Sequence, residues 1–423
     1  MNSSEIREID YRTVADGRPT PWKIAMWGSA VDARLLEQAQ HRFPSLGQLE
    51  DDELLVVSQG PEFIDEKTAT EETAERHAEL IGKRTIAPER VKNRRFLYRF
   101  PDSAFEALGS ADVYVSKRGG VERKLSVCPA PHVIVGASRN FAVYTEEFLV
   151  VPSRQIGIVS VTDDQRFLKA LTLYLNSDFV AYHQFLTASE SGIQKTRGTL
   201  ASLRLLPLPF AQGGDVESLA TLYDRMLREL ADRDDFDQTD LVQDLNELTF
   251  KALRLSPRAR AAVHDLVHVR FGLTRGKSAA AAIGPPGPEE LTAYAKTLVD
   301  DLDSFIGATS NARHHADILV GGGQGLIAVR LAPGDRRAEP VRILNASDEN
   351  ALRFAEARAR LTQQRSQWLY FNRNLRVYDG AEIYILKPLQ HLHWTRTQAI
   401  QDAGEIIADS LQPARQLAEE SIN

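Results

Sequence analysis

Three short runs of basic and polar residues have the side chains needed to contact a polyanion. Lys117-Arg118-Gly119-Gly120 follows the β-prone Val113-Tyr114-Val115, and Arg123-Lys124 begins the next stretch. A hairpin there gathers four cations at one end, beside two glycines that let a phosphate backbone come close. Ser138-Arg139-Asn140 joins an arginine, which can fork onto guanine, to an asparagine, which can pair with adenine. Gln194-Lys195-Thr196-Arg197-Gly198 offers a second polar and basic loop. From Lys83 to Arg139 there are twelve Lys and Arg against five Asp and Glu, a local +7 in a chain of net charge −7, leaving −14 elsewhere. A whole-molecule preference for polyanions is therefore excluded, and any nucleic-acid contact must be local. The same residues would also serve as a solvated basic surface.

Other constellations each lack a part. Asp102, Glu122 and Lys124 loosely echo a metal-dependent nuclease, in which acids hold a divalent cation and a lysine orients the attacking water. Glu122, however, follows a Gly-Gly turn rather than a strand. His264 and His268 stand one helical turn apart and imitate a zinc-protease helix, with Asp265 in place of glutamate and no third ligand nearby. Gly321-Gly322-Gly323-Gln324-Gly325 contains a dinucleotide-like spacing, but β-prone Leu326 to Leu331 follows where a phosphate-holding helix should start, so a hairpin turn is the better reading. No Walker-type loop is present. No catalytic residue, metal ligand or cofactor is assigned.

The elements that must position these loops follow from hydrophobic periodicity. Leu54 to Ser58 reads as a buried strand, and Glu71 to Ile81 as a helix. Val113–Val115, Val133–Val135, Phe148–Val151 and Ile156–Val159 read as strands of a sheet with basic turns. Phe167 to Leu186 has helical spacing broken at Asn176-Ser177, and Leu203 to Pro209 reads as a closing extended segment. This gives a mixed-sheet domain over 1–212. Helices over Leu219–Leu230, Asp240–Leu255 and Ala259–Phe271, the last behind a Ser256 cap and Pro257, form a helical arm over 213–274. An Ala-, Gly- and Pro-rich linker covers 275–288. A separate C-terminal α+β domain spans 289–423, with a helix from Glu289 to Ile306, a hairpin Ile318–Val320/Leu326–Leu331, a capped helix from Ser347 bearing Arg353, Arg358, Arg360 and Arg365, strands at Val377-Tyr378 and Ile383–Leu386, and a final helix from Thr397 to Leu411. Trp394 reads as a core residue. The fold class is α+β. A single cysteine, Cys128, and an N-terminus without an apolar run fit a cytoplasmic chain, and no stretch is apolar enough for a membrane span.

The order of motifs over residues 111–210 resembles the TaqI-like target recognition domain of adenine-specific DNA methyltransferases and fused restriction-methylation enzymes. The residues that carry it are Ser116-Lys117-Arg118-Gly119-Gly120, an Arg123–Cys128 strand, Phe148-Leu149-Val150-Val151-Pro152, Leu168 through Leu175-Asn176-Ser177, Gly192 to Arg197, and Leu203 to Pro209. Pro21 to Gly28 and Leu245-Asn246-Glu247-Leu248 resemble flanking segments. The resemblance implies a DNA-reading surface framed by the Leu-Asn-Ser helix and the closing Leu-Pro segment. The family's Asn/Asp-Pro-Pro-Tyr/Phe tetrapeptide, which holds the flipped adenine, is missing. The only Pro-Pro is Pro285-Pro286, flanked by glycines. The expectation is a non-catalytic, sequence-specific DNA-recognition subunit of a restriction-modification or phage-defence system. It would bind double-stranded DNA through Lys117, Arg118, Arg123, Lys124, Arg139, Asn140, Gln194, Lys195, Thr196 and Arg197, and work with a separate adenine-specific DNA methyltransferase or nuclease subunit. The alternatives are the nuclease reading on Asp102, Glu122 and Lys124, and a protein-protein adaptor that uses the helical arm.

Overall fold

The computed structural model describes residues 9–65, 74–75, 78–91, 97–109, 112–115, 117–118, 121–137, 141–189, 199–210, 216–229, 239–274, 279–307, 310–321, 323–332, 340–344, 355–356, 359, 374–380 and 382–420. The chain is α+β. It divides into a sheet unit, residues 11–26 and 32–256, and a C-terminal unit, residues 1–10, 27–31 and 257–423. The division falls between Ser256 and Pro257, so the first two helices of the 213–274 segment belong to the sheet unit and the third to the C-terminal unit. Among the described residues no helix is long and apolar enough to cross a membrane.

The sheet unit opens with helices α1 (Tyr11–Val14), α2 (Pro19–Trp27), α3 (Ala30–Arg42) and α4 (Leu46–Asp51), except for Trp27 and residues 30–31, which belong to the C-terminal unit. Its strands are β1 (Leu55–Gln59), β2 (Glu62–Asp65), β3 (Ala74–Glu75), β4 (Arg84–Ile86), β5 (Phe105–Ala107), β6 (Asp112–Val115), β7 (Lys117–Arg118), β8 (Val121–Glu122), β9 (His132–Val135), β10 (Ala142–Thr145) and β11 (Ile156–Ser160), with the short helix α5 (Pro88–Val91) between β4 and β5. The central sheet is antiparallel in the order β1-β11-β9-β10. Its strands are apolar at nearly every position, with β9 fully buried, because both faces are covered. Helices α6 (Gln165–Leu175) and α7 (Asp178–Thr187) follow, then α8 (Leu200–Arg204), α9 (Val216–Glu229) and α10 (Thr239–Ala252). α9 is tied to α6 by Asp224, which accepts from Arg166 (3.1 Å) and Lys169 (2.9 Å).

The expected break at Asn176-Ser177 is present, and its role is larger than separating two helices. Ser177 caps α7 by accepting from the Val180 amide. Asn176 is buried and clamps Ala142, the first residue of β10, from both sides: its Oδ1 accepts from the Ala142 amide (3.1 Å) and its Nδ2 donates to the Ala142 carbonyl (2.8 Å). The same amide nitrogen donates to the carbonyls of Leu97 and Thr172. The closing segment is fixed in the same way. Tyr174 donates its hydroxyl to the Pro207 carbonyl, and the amides of Leu46 and Leu208 bond the Leu206 and Pro44 carbonyls.

Four local expectations change. The described residues of Glu71–Ile81 are not α-helical: Ala74–Glu75 pairs with β6, and Ala78–Leu80 is a 3₁₀ turn that places Leu80 in the core. The apolar stripe there is too thin to outweigh strand pairing. Phe148–Val151 is not a strand of the sheet. Leu149, Val150 and Val151 are buried, but the Leu149 amide bonds Cys128 and the Val150 amide bonds Arg84, so the run plugs the core. Arg123–Cys128 forms a 3₁₀ turn over Leu125–Val127 rather than a strand. Its seat is Gly157 on β11, where a Cβ would stand 2.6 Å from the Cβ of Val127. Leu203–Pro209, expected as an extended closing segment, begins as the end of α8 and continues to a single bridge from Pro207 to Ser45.

In the C-terminal unit, α11 (Pro257–His264) runs into a π-helical stretch, Asp265–Val269. Residues expected as linker contain α12 (Ala279–Ile283), and the Gly284 carbonyl after it accepts from the His391 amide. α13 (Pro288–Ile306) and α14 (Arg396–Glu420) pack on a sheet of order β14-β12-β13-β16-β15, formed by β12 (Arg313–Gly321), β13 (Gln324–Ala332), β14 (Val341–Leu344), β15 (Leu375–Asp379) and β16 (Glu382–Pro388). The glycine run is the β12–β13 hairpin turn, with Gly323 at φ +74°. Gly325 makes room for Trp394, which is buried in the core as expected: a Cβ at 325 would lie 2.2 Å from the indole. Beneath it, Lys387 and Asp402 form a fully buried ion pair, with Asn374 donating to Asp402 (2.6 Å). Burial lowers the Lys387 pKa, opposed by the attraction of Asp402. Of the helix expected from Ser347, only residues 355–356 and 359 are described, and Arg353, Arg358, Arg360 and Arg365 lie outside the described residues.

Candidate nucleic-acid interface

The register of the central sheet defines two ends. At one end Gln59, Ile156, Val135 and Ala142 stand in a row across the four strands. At the other, Val56, Val159, His132 and Thr145 form the matching row, with Leu55 and Ser160 just beyond.

Beyond the first row lie Arg123, Lys124 and Arg154, together with Glu62, which pairs with Arg123. After β1, the Gly60 amide bonds the Gln155 carbonyl (3.0 Å), and the Gln155 amide closes a turn onto Pro152 (2.9 Å). A Cβ at Gly60 would stand 1.9 Å from the Val151 carbonyl oxygen, so only glycine lets these segments meet. Arg123 ties this corner together. Its guanidinium donates to the carbonyls of Gly60 (3.3 Å) and Ser153 (3.4 Å) and pairs with Glu62 (3.6 Å), and its side chain is 12% exposed. The next amide, Lys124, donates to the Ser58 hydroxyl (3.2 Å), and Lys124 itself is exposed.

The hairpin carrying Lys117 and Arg118 has both stems at Glu62. Val115 of β6 faces Glu62 in register, and Arg123 beyond β8 pairs with the Glu62 carboxylate. Within it Lys117 faces Glu122 and Arg118 faces Val121. The turn expected to carry base-reading side chains leaves the same end of the sheet, because Gly136 and Phe141, which flank it, are joined by a hydrogen bond of 2.9 Å next to the Val135–Ala142 pair. Arg139 and Asn140 lie outside the described residues, as do Gln194, Lys195, Thr196 and Arg197, between Ala188 at the end of α7 and Thr199, the cap of α8.

Arg154 is a cation that the charge count stops short of. It sits in the Pro152–Gln155 turn, one residue from the carbonyl that holds Arg123, and is exposed. Its signal in the sequence is the Pro152-Ser153-Arg154-Gln155 turn between two apolar runs. Only the register shows which end of the sheet that turn occupies.

The opposite end is acidic. Asp51, Asp52 and Glu53 precede β1, Glu146 and Glu147 follow β10, and Asp163 and Asp164 follow β11, all seven exposed. Part of the basic segment comes here rather than to the basic end: Arg84 pairs with Glu147 (2.9 Å) and Asp102 (3.4 Å), and Lys83 lies over the Phe148 ring. Arg90 donates to the Phe105 carbonyl (2.7 Å). The +7 segment is thus not one patch.

For the nuclease reading, Asp102 is held at Arg84 while Glu122 belongs to the β7–β8 hairpin. Among the described residues no group of three or more His, Cys, Asp or Glu is gathered to hold a metal ion. The His264 and His268 rings are 4.8 Å apart, and Asp265 between them is buried and accepts from the Thr397 amide (2.7 Å) at the start of α14. That hydrogen bond and the one from His264 oppose the raising effect of burial and hold the Asp265 carboxyl below its usual range.

No family model matches the chain, and no curated protein matches it.

Proposed function

We propose that the chain is the DNA-recognition subunit of a restriction-modification or phage-defence system, acting with a separate adenine-specific methyltransferase or nuclease subunit. The observation that supports this reading is the charge polarity of the central sheet. The anchors of the Lys117–Glu122 hairpin, exposed Lys124 and Arg154, and the residues flanking Arg139-Asn140 share one end, while seven exposed acids occupy the other. A duplex approaching this sheet is attracted at one end and repelled at the other, which sets a single docking orientation. Lys117, Arg118 and Lys124 contact phosphates and fix the register, whereas Arg139, Asn140, Gln194 and Arg197 read base edges.

The test is fluorescence anisotropy of a labelled duplex pool titrated with the protein at two salt concentrations. The expected result is binding that weakens steeply with salt, together with a Lys117→Ala/Arg118→Ala protein that binds every sequence about tenfold more weakly. Equal affinity of the double variant and the parent would remove the hairpin from the interface.

A further inference from the structure

We propose that Arg154 is a direct phosphate contact of this interface and that Arg123 is not a contact but the positioning residue that holds the corner beneath it. The inference rests on the DNA-recognition reading and refines which cations do the binding.

The two arginines are neighbours in space with opposite surroundings. The Arg123 guanidinium is enclosed: two carbonyls accept from it, Glu62 balances its charge, and 12% of its side chain reaches solvent. To meet a phosphate it would have to give up the Glu62 carboxylate and both carbonyls that accept from it, in a site where little water replaces them. Because Arg123 is already neutralised by an internal partner, its substitution changes the number of released counterions little.

Arg154 has what Arg123 lacks. It is exposed, and no ion pair to it is found among the described residues. The turn that carries it is rigid, since Val150 and Val151 before it are buried, Gln155 is 5% exposed and bonded to Gly60, and β11 begins at Ile156. A planar guanidinium presented from a fixed turn can grip two phosphate oxygens at once with less backbone entropy to lose. Among the described residues of the corner, 58–62, 123–124 and 152–156, the only acid is Glu62, and Arg123 faces it. Arg154 and Lys124 are therefore the exposed cations that a phosphate backbone meets there.

The slope of log affinity against log salt counts the phosphates neutralised, at roughly 0.9 per contact on duplex DNA. It is to be measured by anisotropy for the parent chain, Arg154→Ala, Arg154→Lys and Arg123→Gln, with a thermal melt of each. Arg154→Ala should melt like the parent, bind several-fold more weakly and have a slope shallower by about one unit; Arg154→Lys should keep the parent slope. Arg123→Gln should melt lower and keep the slope. A parent slope retained in Arg154→Ala, or a unit lost in Arg123→Gln, would overturn the assignment while leaving DNA recognition standing. A parent chain that binds no duplex at any salt would overturn DNA recognition and this assignment with it. Because Arg154 is exposed on a turn, its substitution tests the claim even where Arg123→Gln fails to fold.

Discussion

The two ends of the central sheet are made by the same four strands and differ in what hangs from them. Beyond the Gln59–Ile156–Val135–Ala142 row the turns carry Arg123, Lys124 and Arg154. Beyond the other row they carry Asp51, Asp52, Glu53, Glu146, Glu147, Asp163 and Asp164. Between the rows the strands are almost wholly buried and hold no net charge at the surface. The core fixes where the turns emerge, and the turns are free to carry whatever charge a partner requires. The ends also differ in how they are held. The basic end is braced by polar clamps, Arg123 on two carbonyls and Asn176 on Ala142, and the acidic end contains His132, buried without charge.

The largest effect expected from breaking this arrangement is at Asn176. Its side chain satisfies the amide and carbonyl of Ala142 and the carbonyl of Leu97 in a buried site. Asn176→Ala leaves several of these groups unpaired at roughly 1–3 kcal/mol each, so a loss of about 4 kcal/mol is expected in denaturant unfolding of the sheet unit. A loss below about 1 kcal/mol would mean that the clamp is not what seats β10.

Acid is expected to have a smaller effect. Burial pushes the His132 imidazole down to about 4, partly offset by its hydrogen bond to the Pro129 carbonyl, and burial alone pushes His183 down to about 3. Both folded pKa values lie below that of an unfolded histidine, so the unfolded chain takes up protons first as pH falls. The stability is fully present above about pH 6.5 and declines from there toward pH 4 and 3. Between pH 7 and pH 5.5 the two histidines together should cost the sheet unit about 2 kcal/mol, read as a shift in the denaturation midpoint. A midpoint unchanged over that range would show that they are protonated in the folded chain.

What the sequence disclosed divides along physical lines. Strands and helices held by their own periodicity were legible: β1, β9, β11, the α6–α7 pair, the β12–β13 hairpin and α13. Phe148–Val151 was not, because an apolar run looks the same whether it bonds to one neighbour strand or to several scattered partners. The hairpin cations were visible as residue types, but the fate of Arg123 depends on Glu62 and on carbonyls at positions 60 and 153, and no local pattern announces those contacts. The same holds for Arg84, neutralised by Glu147 sixty-three residues away. Arg154 joined the basic end only through the register of β1, β11, β9 and β10, a long-range property that charge counting along the chain cannot supply.

If DNA is met by one end of the sheet rather than by its charge in general, the two ends respond differently to charge reversal. Reversing charge at each end in turn and measuring duplex affinity by anisotropy at one low salt concentration tests it most directly. Lys124→Glu/Arg154→Glu should weaken binding by about tenfold or more, whereas Asp51→Lys/Asp52→Lys, which adds as much positive charge as the first pair removes, should leave it unchanged or strengthen it slightly. Near-parent affinity of the first pair would contradict the account.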